Sequence, residues 1–127
     1  MLAQREGETR SEQKTPQGIL VRKVQVEIPE DFKPYWNPAK PVFSQLANGA
    51  STLLPYMEPF ITNSIRQASK HITDRALLEE AKAWMAQEAQ HFKQHRRFNE
   101  VLIAAGYPEL REREKKMERE YQELGKR

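Results

Sequence analysis

The feature that most constrains the fold is a seam of residues advancing by alternating steps of four and three: Leu77, Ala81, Trp84, Glu88, His91, His95, Phe98 and Leu102. At 3.6 residues per turn these side chains share one face of a helix, the face through which helices pack in bundles. Both ends of the seam are apolar and its middle is not. Within the stretch WMAQEAQHFKQHRRFN, Glu88, His91 and His95 take three successive seam positions, and Asn99 follows on the same side. A carboxylate on a buried face loses hydration worth several kcal/mol unless something replaces it. Two replacements fit the spacing. Glu88 and His91 can pair with each other, or both can grip a cation. Glu-x-x-His at i, i+3 is the spacing by which bundle helices supply a carboxylate and an imidazole to metal centres.

The helix carrying this seam has clear ends. Thr73 or Asp74 is placed to cap its start, and Gly106 with Pro108 closes it near Ala105. An earlier helix is predicted from about Val42 to Ser69, with an apolar stripe through Ala47, Ala50, Leu54, Ile61, Ile65 and Ala68. Pro55 and Pro59 predict a kink or break in it, since each removes an amide donor and crowds the preceding turn. Its polar intruder is Glu58. Folding the first helix back across the turn SKHITD brings Glu58 level with Glu88, each about 21–24 Å from the turn at 1.5 Å per residue.

A third amphipathic helix follows, PELREREKKMEREYQEL, with Leu110, Met117, Tyr121 and Leu124 on a narrow stripe among paired charges. Upstream, residues 18–41 read as an extended arm and a Pro-rich loop pinned by Phe32, Tyr35 and Trp36. Residues 1–17 are too polar to join a core and read as a disordered tail. The expected fold is all-α: a ferritin-like helical hairpin, half of a four-helix bundle, with a third helix, over residues 42–127. Trp84, Phe92 and Phe98 belong to its core.

Composition narrows the chemistry. The chain has no cysteine, which excludes disulfides, thiolate catalysis and Cys-ligated metals, so any metal is held by carboxylate and imidazole. The net charge of +3 is interspersed with acid and does not form the basic stripe of a nucleic-acid binder. Lys93, Arg96 and Arg97 read as a solvated face, and His71, in the turn, as a solvated side chain. No apolar run suits a membrane span or a signal peptide, which predicts a cytoplasmic protein. There is no Gly-rich phosphate loop, nucleophile elbow or Ser/His/Asp set.

From about Val21 to Pro108 the chain resembles a bacterial family described as predicted metal-dependent hydrolases, with a ferritin-like look. The family's second-helix pattern, Phe-x-x-Gln-Glu-x-x-His-x-x-x-His-x-x-x-Asn, is matched in register by Gln87, Glu88, His91, His95 and Asn99, and Phe98 also falls in place. Pro55 and Glu58 match the first-helix pattern, while Met57 and Pro59 depart from it. The resemblance implies a divalent metal (Fe, Mn or Zn), with Glu58, Glu88, His91 and His95 as ligands and Asn99 orienting one of them. It also implies metal-activated water as nucleophile, with Glu58, Glu88 and His95 as catalytic groups. Family members run well past this length and carry a further Glu and a further Glu-x-x-His. The expectation is therefore a piece of a longer protein, or a half-size protein that self-associates through its helical seam around an unknown small-molecule substrate. Two other readings fit the same residues: a non-catalytic interaction module in which Glu88 and His91 are a structural pair, and a di-iron protein that activates oxygen.

Overall fold

A computed structural model of the chain describes residues 15, 16 and 18–127. The tail read over residues 1–17 lies outside the described residues, except for Thr15 and Pro16. Three helices follow in order: α1 (Pro41–Ala68), α2 (Arg75–Ala104) and α3 (Leu110–Leu124), with a 3-10 turn at Ser69–His71. Among the described residues there is no strand, and no helix is long and apolar enough to cross a membrane.

Local chemistry sets these boundaries. Pro41 occupies the first turn of α1, where the missing amide costs nothing. Asp74 caps α2, its carboxylate accepting from the amides of Ala76 (2.8 Å) and Leu77 (3.1 Å). The chain leaves α2 at Gly106 with φ +123°, a region that disfavours a side chain, and Pro108 prevents re-entry.

Helices α1 and α2 pack as the expected hairpin. The packing face of α1, however, is not the predicted apolar stripe. Ala50 and Ala68 are exposed, and Ala47, Leu54, Ile61 and Ile65 are half-buried. The buried track is instead Ser44, Asn48, Ser51, Pro55 and Glu58, again in steps of four and three, and turned from the predicted stripe by about one residue. The apolar core is correspondingly small, with Tyr56, Leu102 and Ile103 as its buried members.

The apolar surface expected to drive self-association is partly used within the chain. Leu102 is 1% exposed, and Phe98 meets Phe32 of the loop edge-on, with centroids 5.4 Å apart.

The other elements brace the hairpin. Helix α3 sets Tyr121 against Phe60 of α1 (5.8 Å) and brings its Glu114 near the Tyr56 side chain. Burial, helped by the Glu114 charge, pushes the Tyr56 phenol up to about 12, so it stays protonated. Arg111 of α3 donates to both carboxylate oxygens of Glu100 on α2 (3.1 and 2.7 Å).

The arm runs parallel to α2 and is held by one heptad track of that helix. Thr15 donates to Glu80 (2.7 Å), and the backbone amides of Arg22 and Val26 donate to Gln87 (2.8 Å) and Gln94 (3.0 Å). Arg97, expected to be merely solvated, donates to the Val26 carbonyl (3.2 Å). An extended segment exposes backbone groups that need partners, and Gln87 and Gln94 of α2, two turns apart, supply two of them.

Candidate metal centre

The buried track of α1 is polar because most of its members answer a specific backbone or side-chain demand. Ser44 accepts from the amide of Asn37 (2.9 Å). Asn48 accepts from the Trp36 indole (3.0 Å) and donates to the Pro34 carbonyl (2.9 Å). These bonds fasten the Pro-rich loop to the helix.

Ser51, Pro55 and Asn99 form a second unit. Pro55 has no amide to offer the Ser51 carbonyl four residues earlier. Asn99 of α2 takes over that duty, its Nδ2 donating to the Ser51 carbonyl at 3.0 Å. Helix α1 is continuous through Pro55 and Pro59, without the break expected there as the alternative to a kink. The donor that keeps the Ser51 turn satisfied comes from the neighbouring helix.

This bond also fixes proton positions nearby. A carbonyl can only accept, so the Asn99 amide must point its nitrogen at it and its oxygen at Ser51. Ser51 Oγ then donates to Asn99 Oδ1 (2.8 Å). Having one hydrogen, the hydroxyl can only accept from its other neighbour, His95 Nδ1, at 2.8 Å. His95 thus carries its hydrogen on Nδ1 and presents the Nε2 lone pair. Burial, and then the charge of His91, holds the His95 pKa below the ordinary histidine value, which keeps that lone pair available at neutral pH.

Glu58 is the member of the track left without a satisfied role. Its side chain is 6% exposed, and among the described residues neither carboxylate oxygen has an aligned hydrogen-bond partner. Oε1 lies 2.8 Å from His91 Nδ1, close enough for charge attraction but not oriented as a hydrogen bond. Burial raises the Glu58 pKa, His91 opposes the rise, and Glu88 adds to it. On its other side, His91 Nε2 meets His95 Nε2 at 2.8 Å. One ligand atom from each of Glu58, His91 and His95 lies within 4.8 Å of the others.

Four residues were expected at a metal, and the structure gathers three of them into this cluster. Glu88 stands beside it, with Oε2 3.5 Å from His91 Nδ1. The burial expected of Glu88 and His91 on the α2 seam is not found: Glu88 is 22% and His91 49% exposed, so the costly buried carboxylate is Glu58. The reason is geometric, because the arm covers α2 along Gln87 and Gln94 and leaves His91 open. His71 sits exposed in the inter-helix turn, as expected. Ser51 was missed, since a lone helical serine carries no signal until its neighbours Pro55 and Asn99 are known.

The donor set fits a divalent cation. One carboxylate and two imidazoles at i, i+4 on a helix are a recurrent catalytic zinc set, and also the facial set of non-haem iron. A cation would satisfy the bare Glu58 oxygens and the His95 lone pair together. The cluster opens onto a cleft of about 540 Å³ with Ser51, Glu88, His91 and His95 on its floor. Val24, Val26 and Ile28 of the arm, Trp36, Ala47 and Phe98 form its walls.

An all-helical hairpin with a carboxylate–imidazole cluster at the base of an open cleft defines a helical protein with a candidate metal site. The family model described as predicted metal-dependent hydrolase matches residues 20–127. The chain belongs to that family. No curated protein and no solved structure matches it.

Proposed function

We propose that the chain is a metal-dependent hydrolase whose cation is held by Glu58, His91 and His95. The observation that carries this reading is the buried Glu58 carboxylate, unsatisfied by hydrogen bonds and facing two imidazoles. A divalent cation at such a site supplies Lewis acidity, polarising an ester or amide carbonyl and making water nucleophilic at neutral pH. The protein's own groups do the rest. Glu58 contributes the negative charge from the closed side of the cleft. The Asn99–Ser51 pair holds the His95 ring in one tautomer and one orientation, the role an outer hydrogen bond plays for a ligating histidine. Glu88, partly exposed on the cleft floor and beside His91, is placed to accept a proton from water and return it to the leaving group.

Three protein donors leave coordination positions open, the arrangement of catalytic rather than structural sites. Oxygen activation on iron uses the same donors. The cleft, however, holds a further carboxylate, Glu88, beside the cluster, which proton transfer in hydrolysis needs. Glu88→Gln tests this directly. Metal content is expected to stay near the wild-type level while kcat for ester hydrolysis by the Zn²⁺- or Mn²⁺-loaded protein falls roughly 10²–10⁴-fold. Undiminished hydrolysis, or loss of the metal along with the activity, would remove Glu88 from the proposed role.

A further inference from the structure

The cleft above the cluster is far less polar than its floor. Its apolar lining is Val24, Val26 and Ile28, alternate residues of the extended arm and so on one side of it, together with Trp36, Ala47 and Phe98. Three glutamines of α2, Gln87, Gln90 and Gln94, edge it, and two of them are occupied with arm amides. Among the described residues that line it there is no lysine or arginine, and the acidic side chain present is Glu88. An anionic substrate would find repulsion and no counter-charge in these walls. The volume, about 540 Å³, lies within the range of small-molecule pockets, roughly 300–1,000 Å³. Along α2 the cleft extends from Gln87 to Phe98, roughly 16 Å at 1.5 Å per residue.

From these features we infer that the cleft binds an uncharged, elongated molecule with an unbranched apolar chain. The chain lies between the arm valines and Trp36–Phe98, and the polar end reaches His91 and His95. Only the placement of the polar end rests on the metal-site reading; the apolar wall stands without it. The arm becomes the specificity element, because it supplies half the wall and is held in place by Gln87, Gln94 and Arg97.

Straight-chain primary amides from acetamide to octanamide test this on the full, metal-free protein, with binding measured by calorimetry. The shift of the Trp36 indole N–H, which donates to Asn48, reports the same site by NMR. Each added methylene buried in the cleft is expected to tighten binding about threefold to fourfold and to move the indole signal progressively. Val26→Glu adds a charge to the wall while keeping the backbone amide that Gln94 accepts, and is expected to abolish the chain-length dependence. Leu77→Glu, at an exposed apolar position outside the cleft, is expected to preserve it. A flat series would overturn the inference, as would a dependence that survives Val26→Glu or disappears in Leu77→Glu. Failure of the metal reading looks different: the amide series holds in the metal-free protein, yet no cation binds at Glu58, His91 and His95.

Discussion

At the scale of single residues, Glu58 carries the most consequence. Its pKa is raised by burial above that of the unfolded chain, so the fold binds this proton more tightly than the coil does. The cost of ionising Glu58 in the metal-free fold is absent below the ordinary carboxylate range. It appears as pH rises through the interval between the unfolded and the raised folded values, and it persists above that. Glu58→Gln removes the charge and is expected to stabilise the metal-free protein at about pH 8 by about 1–3 kcal/mol, with the advantage gone near pH 4. Thermal unfolding in chelator at both pH values measures this. A variant less stable than wild type at pH 8 would mean that Glu58 makes a stabilising bond.

Ser51 is the second residue of consequence. Ser51→Ala leaves His95 Nδ1 without its acceptor, so the ¹⁵N signals of His95 are expected to change from a fixed Nδ1–H form to a tautomer mixture. Metal affinity should fall roughly 10–100-fold, as for other outer-sphere partners of ligating histidines. Unchanged ¹⁵N shifts would contradict the derived proton positions.

The sequence identified Glu58, His91 and His95 because polar residues on an apolar period are conspicuous. It placed the burial on the wrong helix because periodicity reports which residues share a face and not what lies opposite. Glu88 and His91 share the seam but face a cleft, while Glu58 faces the hairpin interior.

At the scale of elements, helix ends were legible wherever capping chemistry is local, as at Asp74 and Gly106. The fate of α1 at Pro55 was not, because the compensating donor, Asn99, lies 44 residues away in sequence on another helix. The same contact ties a backbone defect to the site. Pro55→Ala restores an amide able to bond the Ser51 carbonyl within α1 and so competes with Asn99. Proline in a helix interior is about 3 kcal/mol less favourable than alanine, so Pro55→Ala is expected to raise thermal stability while weakening metal binding. Calorimetric titration alongside a melting curve reads both. A variant that gains stability and binds metal as tightly as wild type would show that α1 and the cluster are not linked through this carbonyl. The arm was foreseen as an extended segment. Its route was hidden, because Gln87 and Gln94 look like ordinary surface glutamines until their heptad spacing is matched to the amides of Arg22 and Val26.

At the scale of the whole molecule, the chain assembles a hairpin with few buried apolar side chains, a brace (α3) and a strap (the arm). Polar residues on the buried track of α1 serve as fasteners. The all-α architecture and the three-helix order followed from hydrophobic period and turn chemistry. The smallness of the apolar core did not, because the predicted α1 stripe through Ala50 and Ala68 is turned outward by the demands of Ser44, Asn48 and Ser51. What remains once the fasteners are assigned is a carboxylate and two imidazoles with no structural partner sufficient for all of them. The central claim is that these three form a cation site, and elemental analysis of protein purified without chelator and then loaded with Zn²⁺ or Mn²⁺ tests it most directly. Wild-type protein and His71→Ala are expected to retain one equivalent of bound metal per site, and Glu58→Ala, His91→Ala and His95→Ala to retain little or none. Equal metal content in all five proteins, or none in the wild type, would contradict it.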